Sequence, residues 1–221
     1  FAGQTSRVSG PRGGRRRSAG ARLRVPLREG HASPVFGARV RMTERPWTRL
    51  AIVTIAGHLA YELAAGVAVP LASRVGVRAA ATTYGLSAAT AYVSAGRMRT
   101  PHGDRAYAVA NGFFMAAVIA HYSSWPRVWR AGLPWLTTCE GLEGRVIGPY
   151  NVLLQVSAVA ALAGLHENRS QWRWGVVTAA VVSPMMRWAT PRQFAELVEQ
   201  AAEQPRWWNR RLGRMSVTDR R

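Results

Sequence analysis

The chain has 221 residues and a formal charge of +19, from 30 basic residues, all of them arginine, against 11 acidic ones. A lone cysteine, Cys139, excludes an internal disulfide and a cysteine-based zinc cluster. The mean hydropathy of −0.09 conceals a segregation: an Arg/Gly-rich start and a basic end flank long uncharged runs. The complete absence of lysine points to a GC-rich, bacterial-type genome.

Residues 1–41 carry ten arginines, one glutamate and no apolar period, a composition that cannot offset the entropy of ordering. They are expected to be a disordered extension, one not necessarily native because Met42 opens a natural-looking start. No apolar stretch follows the charges, so the segment does not read as a signal peptide.

The first uncharged run is Leu50–Ser73, bounded by Arg49 and Arg74. Its 24 residues would reach about 36 Å as a helix, enough to cross a bilayer with tilt. Ala79–Gly96 is rich in Ala, Ser, Thr and Gly, which suits close helix packing in lipid. Ala106–Tyr122 and Val146–Leu165 follow as third and fourth runs. Trp174–Met186 is short for a span unless Arg173 and Arg187 reach outward. Residues 190–204 read as a short amphipathic helix, with Thr190 as N-cap, Pro191 at its first position and an apolar stripe of Phe194, Leu197, Val198 and Ala201. Residues 205–221 form a basic, Trp-bearing tail suited to anionic lipid headgroups.

The tryptophans support this map. Trp47, Trp125, Trp129, Trp135, Trp172, Trp174 and Trp188 fall at the edges of the runs, where an amphipathic ring prefers the headgroup level. The fold expected is therefore all-α: a multi-span helical membrane bundle of four to six embedded helices across 42–189, with a short amphipathic C-terminal helix. Arginines at both ends of this region predict cytoplasmic termini, in a multi-pass protein of the plasma membrane. That requires an even number of crossings, so either 174–186 does not cross or a longer helix begins near Leu136, kinks at Gly148–Pro149 and carries Glu140 and Glu143 towards the membrane.

His58 and Glu62 stand out inside the first run. An acid at the centre of a span disfavours insertion by roughly 2.5–3.5 kcal/mol. The strong apolar residues of the run return roughly 3–5 kcal/mol, so the helix still inserts, with Glu62 facing protein or water. The pair is spaced i, i+4 and shares a helix face, with Tyr61 nearby. Depth arithmetic at 1.5 Å per residue puts His58 about 13 Å and Glu62 about 19 Å along the first span, Asn111 about 8 Å and His121 about 22 Å along the third, and Asn151 about 8 Å below the outer surface. Glu62, His121 and Asn151 are thus expected to converge in the outer half, capped by Glu140 and Glu143.

The candidate catalytic pair is His58 and Glu62, and the candidate ligand-binding residues are Tyr61, Asn111, His121, Glu140, Glu143 and Asn151. No P-loop, dinucleotide loop or serine elbow is present. The unequal depths of His58 and His121 argue against haem, and the lack of paired Glu-x-x-His helices argues against a di-metal centre, so neither cofactor nor metal is expected. HLAYE (His58, Glu62) and EGLEGRVIGP (Glu140 to Pro149) look similar to fragments of the membrane sterol-isomerase group, the emopamil-binding or EXPERA proteins. The likeness covers 15 residues; two runs intervene between the fragments, and a late Asn/Trp pair in the last span is missing. It implies acid–base chemistry by buried His and Glu on a lipid-like substrate.

Three functions remain open on the sequence. One is a membrane-embedded acid–base site for a lipid- or isoprenoid-like ligand. The others are a small proton-coupled transporter and a non-catalytic membrane subunit or scaffold. The expected partners are the bilayer, a lipid-like small molecule and anionic headgroups at the tail, and not nucleic acid.

Overall fold

A computed structural model describes residues 45–98 and 100–218; the expected disordered extension, residues 1–41, lies outside them. The described chain is mostly helical, in agreement with the all-α expectation. Seven helices run in order: α1 (Pro46–Ala65), α2 (Ala72–Val75), α3 (Val77–Ala95), α4 (Pro101–Ser124), α5 (Ile147–Glu167), α6 (Trp172–Glu203) and α7 (Arg210–Thr218). Between α4 and α5 lies a feature absent from the sequence reading: a hairpin of strands β1 (Arg127–Arg130) and β2 (Leu133–Leu136). Its two-residue turn, Ala131–Gly132, has positive φ at both positions, as a type I′ turn requires.

Local chemistry sets the helix ends. Pro46 and Pro101 occupy first positions, where no amide is missed. The Thr100 hydroxyl accepts from the Gly103 amide at 3.1 Å and caps α4. Gly66, at φ 84°, ends α1 in a left-handed turn that bonds back to Glu62 and Leu63. Residues 172–203 form one continuous helix, so the expected break at Thr190 does not occur and Pro184 and Pro191 lie within α6. The apolar stripe foreseen there is real: Leu197 and Ala201 are buried, and Phe194 meets Trp125 edge-on at 5.1 Å. The long helix from Leu136 does not form, because β2 and a tight turn at Cys139–Leu142 occupy that stretch.

The five long helices, α1, α3, α4, α5 and α6, alternate in direction. The start of α1 meets the ends of α3 and α5 and the start of α4 at one arginine. Arg45 donates to Ala95 O (2.9 Å), Met98 O (2.5 Å), Asn168 Oδ1 (3.1 Å) and Asp104 Oδ1 (2.7 Å). Glu167, at the end of α5, accepts from the Trp47 and Thr48 amides at 2.8 and 2.9 Å and so caps α1 from outside. At the opposite end of α1 the tail returns. Arg210 and Arg211 donate to Ala64 O and Ala65 O at 2.8 and 2.9 Å, placing cations on the helix's free carbonyls. The expected headgroup-binding tail is thus partly engaged in an internal cap.

Small residues let α4 and α6 pack closely. Ala108, Gly112, Ala116 and Ala120 form a buried line along α4. A Cβ on Gly112 would stand 2.1 Å from the Gly175 carbonyl oxygen. Among the described residues one helix, Gly144–Glu167, is long and apolar enough by length and composition to cross a membrane. The sequence reading had four convincing runs. The others fall short on hydropathy because Arg49, His58 and Glu62 lower α1, Gly, Ser, Thr and Tyr lower α3, and Asn111 and His121 lower α4.

Candidate functional site

The His58–Glu62 pair lies in the last two turns of α1, at the end nearer the hairpin, with both side chains buried. The i, i+4 spacing puts His58 Nε2 2.9 Å from Glu62 Oε1. From α5, in its first turn, the Tyr150 hydroxyl donates to the same oxygen at 2.7 Å and lies 3.3 Å from His58 Nε2. From α4, in its last turn, His121 brings Nε2 to 4.0 Å from Glu62 Oε1. The two imidazoles meet edge-on with ring centres 5.0 Å apart, and Tyr150 lies 4.9 Å from the His58 ring. Three helices, α1 and α4 running one way and α5 the other, thus bring three polar groups around one carboxylate oxygen.

Hydrogen bonds fix some of the orientations. His121 Nδ1 lies 2.7 Å from Ala117 O, a carbonyl that only accepts, so Nδ1 carries a proton, and in the neutral ring Nε2 is then bare and faces Glu62. His58 Nδ1 is buried without a protein partner. Cys139 donates its thiol to the Tyr150 oxygen at 3.7 Å. Burial, and then the charges of Glu140 and Glu62, push the Cys139 thiol well above its ordinary range, so it stays protonated and is a poor nucleophile. Burial and the Glu62 charge likewise raise the Glu140 carboxyl well above the usual carboxylate range.

The other expected residues divide. Convergence of Glu62 with His121 is found. Asn151 faces away from Glu62 and holds the hairpin, accepting from Leu136 N at 2.7 Å and donating to Leu136 O at 3.0 Å and Ile147 O at 2.9 Å. Tyr61 donates to Val146 O at 2.7 Å, tying α1 to the start of α5. Asn111 lies at the far end of the bundle, donating to Thr48 Oγ1 and Tyr107 O. Glu140 sits half-buried in the tight turn with φ 48°, within electrostatic reach of Glu62, and Glu143 is exposed. Tyr150 was missed, although it neighbours Asn151 and the same depth arithmetic places it level with Glu62.

An apolar groove of about 260 Å³ runs along the adjoining face of α1. Leu59 and Leu63 of α1 and Ala81, Tyr84 and Gly85 of α3 line it. No known protein family, curated protein or solved structure matches the chain.

Proposed function

We propose that the chain is a helical integral membrane protein whose α1, α4 and α5 hold a buried acid–base site for a lipid- or isoprenoid-like ligand. One observation carries the membrane part: α4, α5 and α6 turn large apolar side chains outward, while polar side chains share the interior with an apolar core. Thr48, Thr54, His58, Glu62, Asn111, Asn151, Ser157 and Asn168 are buried. Val152, Val156, Val159 and Leu162 of α5, Val176, Val177, Val181 and Met185 of α6, and Phe113 and Ile119 of α4 are exposed. Water penalises so large an apolar exterior and lipid favours it. Trp47, Trp172 and Trp207, exposed near element ends, suit the headgroup level.

Five alternating long helices give five crossings. The start of α1 and the basic tail then face opposite sides of the membrane, in place of the two cytoplasmic ends that charge alone favoured. The ligand class rests on the apolar groove beside the Glu62 stretch of α1 and on the acid, base and hydroxyl gathered at Glu62 Oε1, a set fit to move a proton on an otherwise apolar molecule. Mass spectrometry of small molecules co-purifying in mild detergent tests the reading. A discrete lipid present with wild type and lost with Glu62→Gln is expected. A folded Glu62→Gln variant with an unchanged lipid profile would leave the scaffold role, in which the buried polar groups only join helices.

A further inference from the structure

The same cluster has a donor set that a proton alone does not use fully. His58 Nε2, Glu62 Oε1 and His121 Nε2 come from two helices, and the three ligand atoms lie within 4.8 Å of one another. In a tetrahedral zinc site with bonds of about 2.0–2.1 Å, neighbouring donor atoms stand about 3.3 Å apart. The two separations to Glu62 Oε1, 2.9 and 4.0 Å, bracket that value. Small rotamer adjustments would bring all three onto one ion.

The orientation of His121 is the stronger argument. Its Nδ1 is committed to Ala117 O, which leaves the Nε2 lone pair opposite a carboxylate oxygen 4.0 Å away. With that ring neutral, two acceptors face each other in a dry site, an arrangement that a cation between them would relieve. A backbone carbonyl holding the remote nitrogen is also how proteins orient metal-binding imidazoles. Tyr150 adds a hydroxyl at 2.7 Å from Glu62 Oε1, in place to orient the carboxylate or to contribute a fourth donor.

We propose that His58, Glu62 and His121 form a mononuclear site for a first-row divalent transition ion. Two imidazoles and one carboxylate suit Zn²⁺, and three protein donors leave a coordination position open, as in reactive rather than purely structural centres. The inference deepens the functional reading of the same cluster but does not depend on which ligand the groove takes.

The test uses the full chain in mild detergent, stripped with chelator, incubated with Zn²⁺, dialysed and analysed for metal. About one zinc per chain is expected, unchanged in His102→Ala, whose imidazole lies outside the cluster, and reduced at least about tenfold in His121→Ala. If His121→Ala does not stay folded, Co²⁺ loaded into wild type decides: strong visible absorption of a four-coordinate ion supports the site, and the weak spectrum of the hydrated ion overturns it. Wild type holding less than about a tenth of an equivalent, or a folded His121→Ala variant retaining full zinc, also overturns it. Because metal content and co-purified lipid are separate readouts, a lipid dependent on Glu62 without zinc removes only the metal, and zinc without lipid removes only the ligand.

Discussion

Replacing Arg45 with methionine should loosen the whole end of the bundle. The guanidinium, almost fully buried, makes four hydrogen bonds that reach α3, α4 and the turn after α5. Removing one partner of a buried ion pair costs about 3–5 kcal/mol, because the other charge and its acceptors are left uncompensated. The Asp104 side chain is 34% exposed, so water recovers part of the loss and the lower end, about 3 kcal/mol, applies. At about 2–4 °C per kcal/mol for a domain of this size, the thermal midpoint in detergent should fall by about 6–12 °C. The double variant Arg45→Met/Asp104→Asn should regain part of it, since the stranded charge is gone. An Arg45→Met midpoint within about 2 °C of wild type would refute the argument and show that Glu167 and the apolar contacts hold this end alone.

Further outcomes follow from other contacts. Asn151→Ala deletes the three bonds that hold Leu136 and Ile147, so hydrogen exchange should rise across 127–136 at a stability cost of about 1–3 kcal/mol, while Zn²⁺ binding persists. Gly112→Leu drives a side chain into the Gly175 backbone and should lower the melting midpoint through a loss of at least about 1–3 kcal/mol, whereas Gly85→Leu, with open space around it, should not. Glu140 has a folded-state pKa raised by burial and by Glu62, so the folded protein binds its proton more tightly than the unfolded chain. Its contribution is therefore fully present below the ordinary carboxyl range and lost as pH rises through the raised value. Glu140→Gln should flatten the fall in stability between acidic and neutral pH, and melts of both proteins at several pH values would show it.

Much of the site was legible, and for stated reasons. The i, i+4 spacing of His58 and Glu62 is local geometry, and helix rise alone carries His121 to the level of Glu62, but it sets His121 well apart from His58, whose ring in fact meets it at 5.0 Å. Depth does not fix azimuth, which is why Asn151 was placed with Glu62 although its neighbour Tyr150 makes that contact. One residue of rotation, about 100°, separates the two sides of α5. The hairpin escaped notice because its tryptophans read equally well as interfacial residues and its turn is Ala131–Gly132 rather than Asn-Gly. The Arg45 junction and the capping of α1 by Glu167 were invisible for another cause. They join residues 50 to 123 positions apart, and no periodicity encodes such a meeting.

The return of Arg210 to the carbonyl of Ala64 closes a loop of 146 residues. During synthesis the first helix emerges long before its own cap exists. Its final turn, the one that carries Glu62, must wait with open carbonyls while the rest of the bundle is made. Closure of the end of α1, next to the His58–Glu62 centre, thereby depends on residues 210 and 211. A chain ending before residue 206 would carry α1 to α6 and leave the Ala64 and Ala65 carbonyls without their arginine donors.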